Sequence, residues 1–334
     1  MPKGTLGAIA AAISVLLTYA AAQAETVKIG SLRTSSGSIV IIGQQRGYFD
    51  AEGLTVELVN FDAAEPVAVA VTSGSIDFGV TGMTAGLYSL GGQGAIRIIS
   101  GQIQEHPTFR GSAIVASNRA WDAGLKSFKD FAGKSIGVTQ VGSALHYSIA
   151  LISDKYGVDL KTIRIVPLQA NANVATAVTG GQVDAAAVLG NFAMPGSQRG
   201  DVKLLGWVGD ETPWQFGAVI AATKFTNEHT DTVKRFLVAF HKAQRDYHDA
   251  FTAPDGTRHD EADAVNVLPI VAAYVGQTIE QVRPAIAYVD GAGRVDIKDV
   301  LHQIAWYRAQ GFIKNEVDGN VLLDKRFVVP MPER

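Results

Sequence analysis

The 334-residue chain contains no cysteine. That excludes disulfides, thiolate metal sites and a cysteine nucleophile together. It also removes the lipid-bearing Cys that tethers many exported bacterial proteins. An excess of either charge is lacking too: 29 Lys and Arg stand against 32 Asp and Glu, for a net charge of −3. Nucleic acid and anionic membrane surfaces call for basic patches, so neither is an expected partner. Past the N-terminal segment no apolar run reaches the roughly 18 residues of a membrane span. Catalytic signatures are missing as well. There is no G-x-S-x-G elbow and no P-loop. Gly91-Gly92-Gln93-Gly94 departs from G-x-G-x-x-G and precedes a predicted strand instead of following one. The stretch 290–296 lacks the ligand order of a calcium loop. Arg258-His259-Asp260-Glu261 reads as an acidic helix start, and His241 and His248 read as surface residues of a long helix. No catalytic residue, metal or cofactor is predicted.

What is present begins with a targeting signal. Lys3 supplies a positive start, 6–22 is uncharged and apolar, and Ala22-Gln23-Ala24 is a small-x-small cleavage site. Residues 1–24 are expected to be removed, leaving Glu25 as the mature N-terminus. An exported protein with no lipid anchor is retained only where an outer membrane exists, which implies the periplasm of a Gram-negative cell. A hydrophobic fraction of 47% with 18% charged residues describes a packed globular chain.

The chain also repeats itself. Ala70-Val71-Thr72-Ser73-Gly74-Ser75-Ile76-Asp77 is echoed by Ala177-Val178-Thr179-Gly180-Gly181-Gln182-Val183-Asp184. The offset is 107 residues, the same that separates Ile29-Gly30 from Ile136-Gly137, Val56 from Ile163 and Val59 from Val166. Two copies mean two similar lobes, not a solenoid. Strand-like stretches at 26–31, 54–61, 76–80 and 95–100 alternate with helical ones at 39–49 and 62–72, and Gly82 opens another helix. The same order recurs at 135–139, 143–156, 162–166, 172–178 and 183–189. Such alternation predicts an α/β protein with a mostly parallel sheet in each lobe. Long helical stretches at 228–251, 262–274, 279–288 and 295–310 have no echo in the second lobe and are expected to pack on the first.

Small polar residues cluster at the strand-to-helix junctions: 35–38, Thr81-Gly82, Gly142-Ser143 and Asn191. Ligands of open α/β sheets bind at the carboxyl ends of strands. Helix N-termini there offer free N–H donors and partial positive charge, which suits an anion. Four such junctions at matched positions predict a ligand cleft.

At these residues the chain resembles a family: the periplasmic solute-binding proteins of ABC importers, in the nitrate/sulfonate/taurine branch, also called NMT1/THI5-like. The segment 48–56 (YFDAEGLTV) resembles the stretch after that branch's first helix, and 73–82 (SGSIDFGVTG) resembles its G-x-I-D-x-G-x-T-G. The segments 131–138 (FAGKSIGV) and 142–146 (GSALH), which ends on His146, resemble its L-x-G-K-x-V-x-V and G-S-x-x-H. Gly181-Gln182-Val183-Asp184-Ala185 resembles its G-x-V-D-A. The resemblance covers most of 26–250. It implies a type II periplasmic binding protein fold with lobe I at 25–110 and 217–334, lobe II inserted at 111–216, and a two-segment hinge near 104–111 and 210–217. The branch's anion-holding positions fall on Ser38, Thr81, Gly82, Gly142 and Ser143. Met83 stands where an Asp often follows T-G, and Leu189-Gly190-Asn191-Phe192 replaces a W-D-P-Y-like segment. Both departures remove a carboxylate, which argues against an amino-sulfonate such as taurine. Trp214, Phe109 and Phe192 are candidates to bury an organic body, and Arg33 and Arg110 to meet an acid group.

The function implied is delivery of a small organic anion, whether sulfonate, sulfate ester or aromatic carboxylate, to an inner-membrane ABC permease. The binding protein is expected to act as a monomer by hinge closure. Two alternatives remain at this level: a lyase- or desulfinase-like enzyme on the same fold, and a ligand sensor for a membrane receptor. The desulfinases and pyrimidine synthases of this fold use cysteine, which this chain lacks. The export reading has a direct check: N-terminal sequencing of the protein secreted to a bacterial periplasm should begin at Glu25.

Overall fold

The computed structural model describes residues 24–259 and 264–332. Residues 1–23 of the export signal, and Asp260 and Glu261 of the charged stretch, lie outside the described residues.

The chain begins with β1 (Glu25–Leu32), α1 (Ile39–Gln45), α2 (Tyr48–Ala51), β2 (Leu54–Phe61), α3 (Ala64–Ser73), β3 (Phe78–Gly82), α4 (Ala85–Gly92), β4 (Ile96–Gly101) and β5 (Ile103–Gln104). There follow β6 (Ser112–Ser117), α5 (Asn118–Asp122), β7 (Ser135–Val138), α6 (Ala144–Lys155), β8 (Arg164–Pro167), α7 (Asn171–Thr179), β9 (Ala185–Leu189), α8 (Gly190–Gln198), β10 (Val202–Trp207) and α9 (Val208–Glu211). Then come β11 (Gly217–Ala222), α10 (Thr223–Glu228), α11 (Thr230–Phe251), α12 (Ala264–Val275), α13 (Ile279–Val282), β12 (Tyr288–Val289), β13 (Arg294–Val295) and α14 (Ile297–Ala309).

Two five-stranded sheets result, with orders β2-β1-β3-β11-β4 and, read from the matching end, β8-β7-β9-β6-β10. In the first, β1 is parallel to β2 and β3, and β11 runs against β3 and β4. In the second, β7 is parallel to β8 and β9, and β6 runs against β9 and β10. Four strands of each sheet thus share one direction, and the opposing strand holds the same place in both. These opposing strands are the ones the chain reaches after crossing from the other sheet. The crossing segments meet: Glu105 and Trp214 exchange backbone hydrogen bonds of 2.9 and 3.1 Å.

The internal repeat persists in the hydrogen bonding. Ile29 pairs with Leu58 and Phe78, and Ile136 pairs with Ile165 and Ala185, every partner shifted by the same offset. Asp77 accepts from Lys28 N at 2.7 Å, and Asp184 accepts from Ser135 N at 2.8 Å. Each carboxylate satisfies a strand N–H that the neighbouring strand is too short to reach. Gly30 and Gly137 sit under the helix of their own repeat. A Cβ on Gly30 would overlap Ile76 and lie 2.9 Å from Phe61, whereas one on Gly137 would lie 3.0 Å from Leu168. Gly74 ends α3 in the left-handed conformation, φ 73°, which a β-carbon disfavours.

The C-terminal helices cover the first sheet. Val233, Phe236, Leu237, Phe240 and Tyr247 form the buried face of α11, and Phe236 stacks on Phe78 of β3 at 3.8 Å. Burying side chains of this size contributes about 1.5–3 kcal/mol each. A second apolar cluster continues across the seam between the sheets. Tyr147 of α6 packs on Trp214, Trp306 and Tyr307 at 4.9, 5.2 and 5.8 Å. No helix among the described residues is long and apolar enough to cross a membrane.

Four local expectations are corrected. The helix read at 39–49 breaks at Gly47, φ 69°, into α1 and α2. Gly82 closes β3 instead of opening a helix, and α4 starts at Ala85, capped by the Thr84 hydroxyl, which accepts from Leu87 N. The helix read at 279–288 ends at Val282, where Pro284 turns the chain into a 3₁₀ turn that leads to β12. His241 is no surface residue: its Nε2 lies 2.9 Å from the buried Ser100 hydroxyl, and burial lowers its pKa to about 4.

The packing under the two glycines yields a graded prediction. Gly30→Ala should cost about 1–3 kcal/mol by overpacking. Gly137→Ala should cost less, because Leu168 needs to yield by only a few tenths of an ångström. Thermal denaturation of both variants checks the order.

Candidate functional site

A small cavity lies between the two sheets. The first lobe contributes the end of β1 (Ser31, Leu32), the turn 34–37, Ala64 at the start of α3, and Val80, Thr81 and Gly82 of β3. Gln102, Ile103, Phe216, Ala285 and Ala287 complete that wall. The second lobe contributes Gly111, Thr139, 143–145, Asn171 and 189–191. None of the lining residues carries an ionisable side chain. The wall is mostly apolar, with neutral donors and acceptors set into it.

Helix starts converge on it. The Ser143 side chain caps α6 by accepting from His146 N at 3.2 Å. The first N–H groups of a helix, here those of Ala144 and Leu145, have no intrahelical partner and carry partial positive charge. Gly142 reaches this turn with φ 82°, and its N–H donates to His146 Nδ1 at 3.0 Å. His146 is therefore an acceptor at Nδ1, and burial, which lowers its pKa to about 4, keeps the ring neutral. In the first lobe Gly37 N donates to Thr34 Oγ1, and the Ser35 hydroxyl holds the 285–287 segment by contacts to Ala285 O and Ala287 N. Ser31 is fully buried and lines the cavity, with its hydroxyl beside that of Tyr274.

The lobes touch around this space. Ala85 N donates to Gly142 O at 2.9 Å, and Asn171 donates to Asp62 O through both its backbone and its side chain at 3.2 and 3.0 Å. Asn191 Nδ2 reaches Arg33 O at 3.4 Å, Gln277 Nε2 reaches Asn191 O at 2.7 Å, and the Tyr307 hydroxyl reaches Ser143 O at 3.2 Å. The cleft is closed.

Of the twelve candidate ligand residues, Thr81, Gly82, Ser143 and Asn191 line the cavity. Gly142 supports it from behind through its carbonyl and its turn. The others are placed elsewhere. The Ser38 hydroxyl is spent on Ser35 O at 2.6 Å, and His146 orients the α6 turn. Met83 lies beneath the wall, where its sulfur accepts from the Tyr88 hydroxyl at 3.1 Å. Arg33 takes part through its carbonyl only. Arg110 is committed to Asp210 at 2.6 Å and lies over the Trp207 ring. Phe109 is packed against Tyr288, and Trp214 against Tyr147 and Phe216. Phe216 is the one aromatic ring in the cavity wall.

Sequence reasoning missed Ser31, Gln102, Thr139, Asn171, Ala285 and Ala287. For two of them a signal existed. Shifted by the repeat offset, Leu32 falls on Thr139 and Ala64 on Asn171, so each lobe presents equivalent loop positions to the cleft. Ala285 and Ala287 belong to the non-repeating part and carry no chemical signature.

Two lobes of one topology, joined by paired crossing segments and closed on a central cavity, define the periplasmic binding protein fold. Residues 35–256 match the family described as NMT1/THI5 like, and the chain belongs to that family. Among solved structures it is similar to the alkanesulfonate-binding protein from Xanthomonas axonopodis pv. citri bound to MOPS. That match has a TM-score of 0.72 and 19% identity over 91% of this chain and 99% of the other. The periplasmic nitrate-binding protein from Synechocystis PCC 6803 is similar at a TM-score of 0.67, with 13% identity over 89% of this chain and 84% of the other. Among curated proteins, a putative aliphatic sulfonates-binding protein of Bacillus subtilis is 24% identical over 66% of this chain and 65% of its own length. The 4-amino-5-hydroxymethyl-2-methylpyrimidine phosphate synthase of Schizosaccharomyces pombe is 26% identical over 62% of this chain and 60% of its own length. Both of these matches span less than two thirds of the relative.

The turn before α6 generates a prediction. At Gly142 any β-carbon is strained by the positive φ, about 1–2 kcal/mol, and would also lie 2.9 Å from Ala85 Cβ. Gly142→Ala should lower the melting temperature and displace the α6 start from Ala85. Amide exchange at Ala85, whose N–H is held by Gly142 O, should accelerate.

Proposed function

We propose that this is an extracytoplasmic solute-binding protein that takes up a small organic monoanion, a sulfonate in the first instance, and delivers it to an ABC permease. Lobe I (25–110 and 217–334) and lobe II (111–216) close on the ligand about the segments that cross at Glu105 and Trp214. The export signal read from the sequence supports a periplasmic location. One observation carries the reading: a closed inter-lobe cavity whose polar groups are neutral hydroxyls, amides and helix N–H groups. Such donors suit a charge-delocalised anion with apolar substituents. The α6 start in lobe II faces the 34–37 turn in lobe I, so the anion would bind where closure brings both together.

The similarity to a pyrimidine synthase keeps an enzymatic reading in view. Binding is favoured because the cavity wall offers groups that hold a ligand and no side chain that moves a proton or attacks one. Sulfonate is preferred over an aromatic carboxylate because the aromatic part of the wall is Phe216 alone.

A thermal-shift screen of the mature protein with alkanesulfonates, nitrate and benzoate tests the proposal. A ligand at 100 times its Kd should add about 2.7 kcal/mol of stability. The same screen on Ser143→Asp separates fold from site. Aspartate is as good a helix cap as serine and favours the helix dipole, so the variant should melt at or above the wild-type temperature. Its carboxylate would occupy the anion's place, and the ligand-induced shift should vanish. Wild type that responds to none of these anions, but to a neutral or cationic solute, would falsify the anion assignment.

A further inference from the structure

Behind the cavity wall lies a carboxyl group that the binding site does not use. Glu105 is 2% exposed. It stands where the crossing segments meet, its backbone bonded to Trp214. One side-chain oxygen accepts from the Ser112 hydroxyl, and the backbone N–H groups of Ser112 and Gly209 also point toward the carboxyl; among the described residues no cation is paired with it. Gly111 of the cavity wall covers it: a Cβ there would lie 3.1 Å from each Glu105 carboxyl oxygen. Gly111 is thus a residue shared by the cavity wall and the surroundings of this carboxyl.

The surrounding charges do not neutralise it. Asp210 on the second crossing segment adds a like charge, and Arg110 is engaged with Asp210 at 2.6 Å. His106, the next residue, stacks on Tyr288 at 4.4 Å. Asp299 of α14 accepts from Gln215 N at 2.9 Å, and burial holds its own pKa up at about 6. Burial raises the Glu105 pKa to about 7, against the hydrogen bonds from Ser112 and Gly209, with the charge of Asp210 adding to the rise. An ionised Glu105 beside a bound anion would be a second uncompensated negative charge in a low-dielectric site. A protonated Glu105 adds none.

We propose that the closed cleft takes its anion together with one proton carried on Glu105, so that Glu105 determines the net charge the site accepts and makes affinity rise as pH falls. This rests on the anion reading above. In an open cleft the crossing segments admit water and Glu105 titrates nearer its ordinary value. Closing over an anion raises it. A group whose value is raised in the closed state favours closure fully below its open-state value and loses that contribution as pH rises through the closed-state value. Affinity should therefore fall by up to about tenfold per pH unit on approaching pH 7 and level off above it.

Ethanesulfonate, whose own charge is constant across this range, is the probe. Titration calorimetry at about pH 5.5 and about pH 8 should give at least tenfold tighter binding at the lower pH. Near pH 6.5, buffers of different ionisation enthalpy should report uptake approaching one proton per ligand. Glu105→Gln keeps the acceptor for Ser112 and mimics the protonated acid. It should hold the low-pH affinity at about pH 8 and take up no proton. Asp299→Asn should leave the pH slope in place. Binding of equal affinity at both pH values, zero proton uptake by the wild type, or a slope that survives Glu105→Gln overturns this inference and leaves the anion reading standing. Failure of ethanesulfonate to bind at any pH, when every other anion of the screen also fails, overturns both.

Discussion

The backbone pairing of Glu105 with Trp214 is the constraint on which the rest of the architecture depends. The chain leaves the first sheet once and returns once, and these two crossings are tied to each other by main-chain hydrogen bonds. Each then runs on into the one strand of the sheet it enters that opposes the others: Ser112 begins β6, and Gly217 begins β11. A displacement of one crossing is thereby passed to the centre of the opposite sheet. The cavity lies against this junction, so Gly111, Gln102 and Phe216 are at once wall and joint.

Much of the fold was legible because the repeat is built into the strand ladder. The Asp77 and Asp184 echoes proved to be matched carboxylates closing matched strand ends, and the offset that aligned Ile29 with Ile136 also aligned their pairing partners. Boundaries were lost where local chemistry overrode periodicity. Thr84, not Gly82, caps α4, and Pro284 converts an apolar helical pattern into a turn and an edge strand.

The site was legible only in part, and the pattern of misses has a physical cause. Reading for an anion favours arginines and aromatics, yet Arg110 is neutralised by Asp210, Arg33 contributes a carbonyl, and Trp214 and Phe109 stabilise the joint. The wall itself is made of small neutral residues whose usefulness lies in backbone N–H groups and in position, which composition does not reveal. Ser31 is the extreme case: a serine inside a strand, indistinguishable in sequence from a packing residue, whose side chain is buried at the cavity. His146 shows the converse. A residue type that suggests ligand contact serves as a neutral acceptor that fixes the turn.

The aromatic cluster at the seam has an optical consequence. Trp214 belongs to a crossing segment and Trp306 to the C-terminal helix, and both pack on Tyr147, which lies across the seam from Trp306. They are two of only four tryptophans in the chain, and Trp214 is almost wholly screened from solvent. Any separation of the lobes would draw Tyr147 away from Trp306 and admit water beside that indole. The molecule thus carries its own fluorophore at the seam between its sheets, and a change of packing there would register in its emission with no label attached.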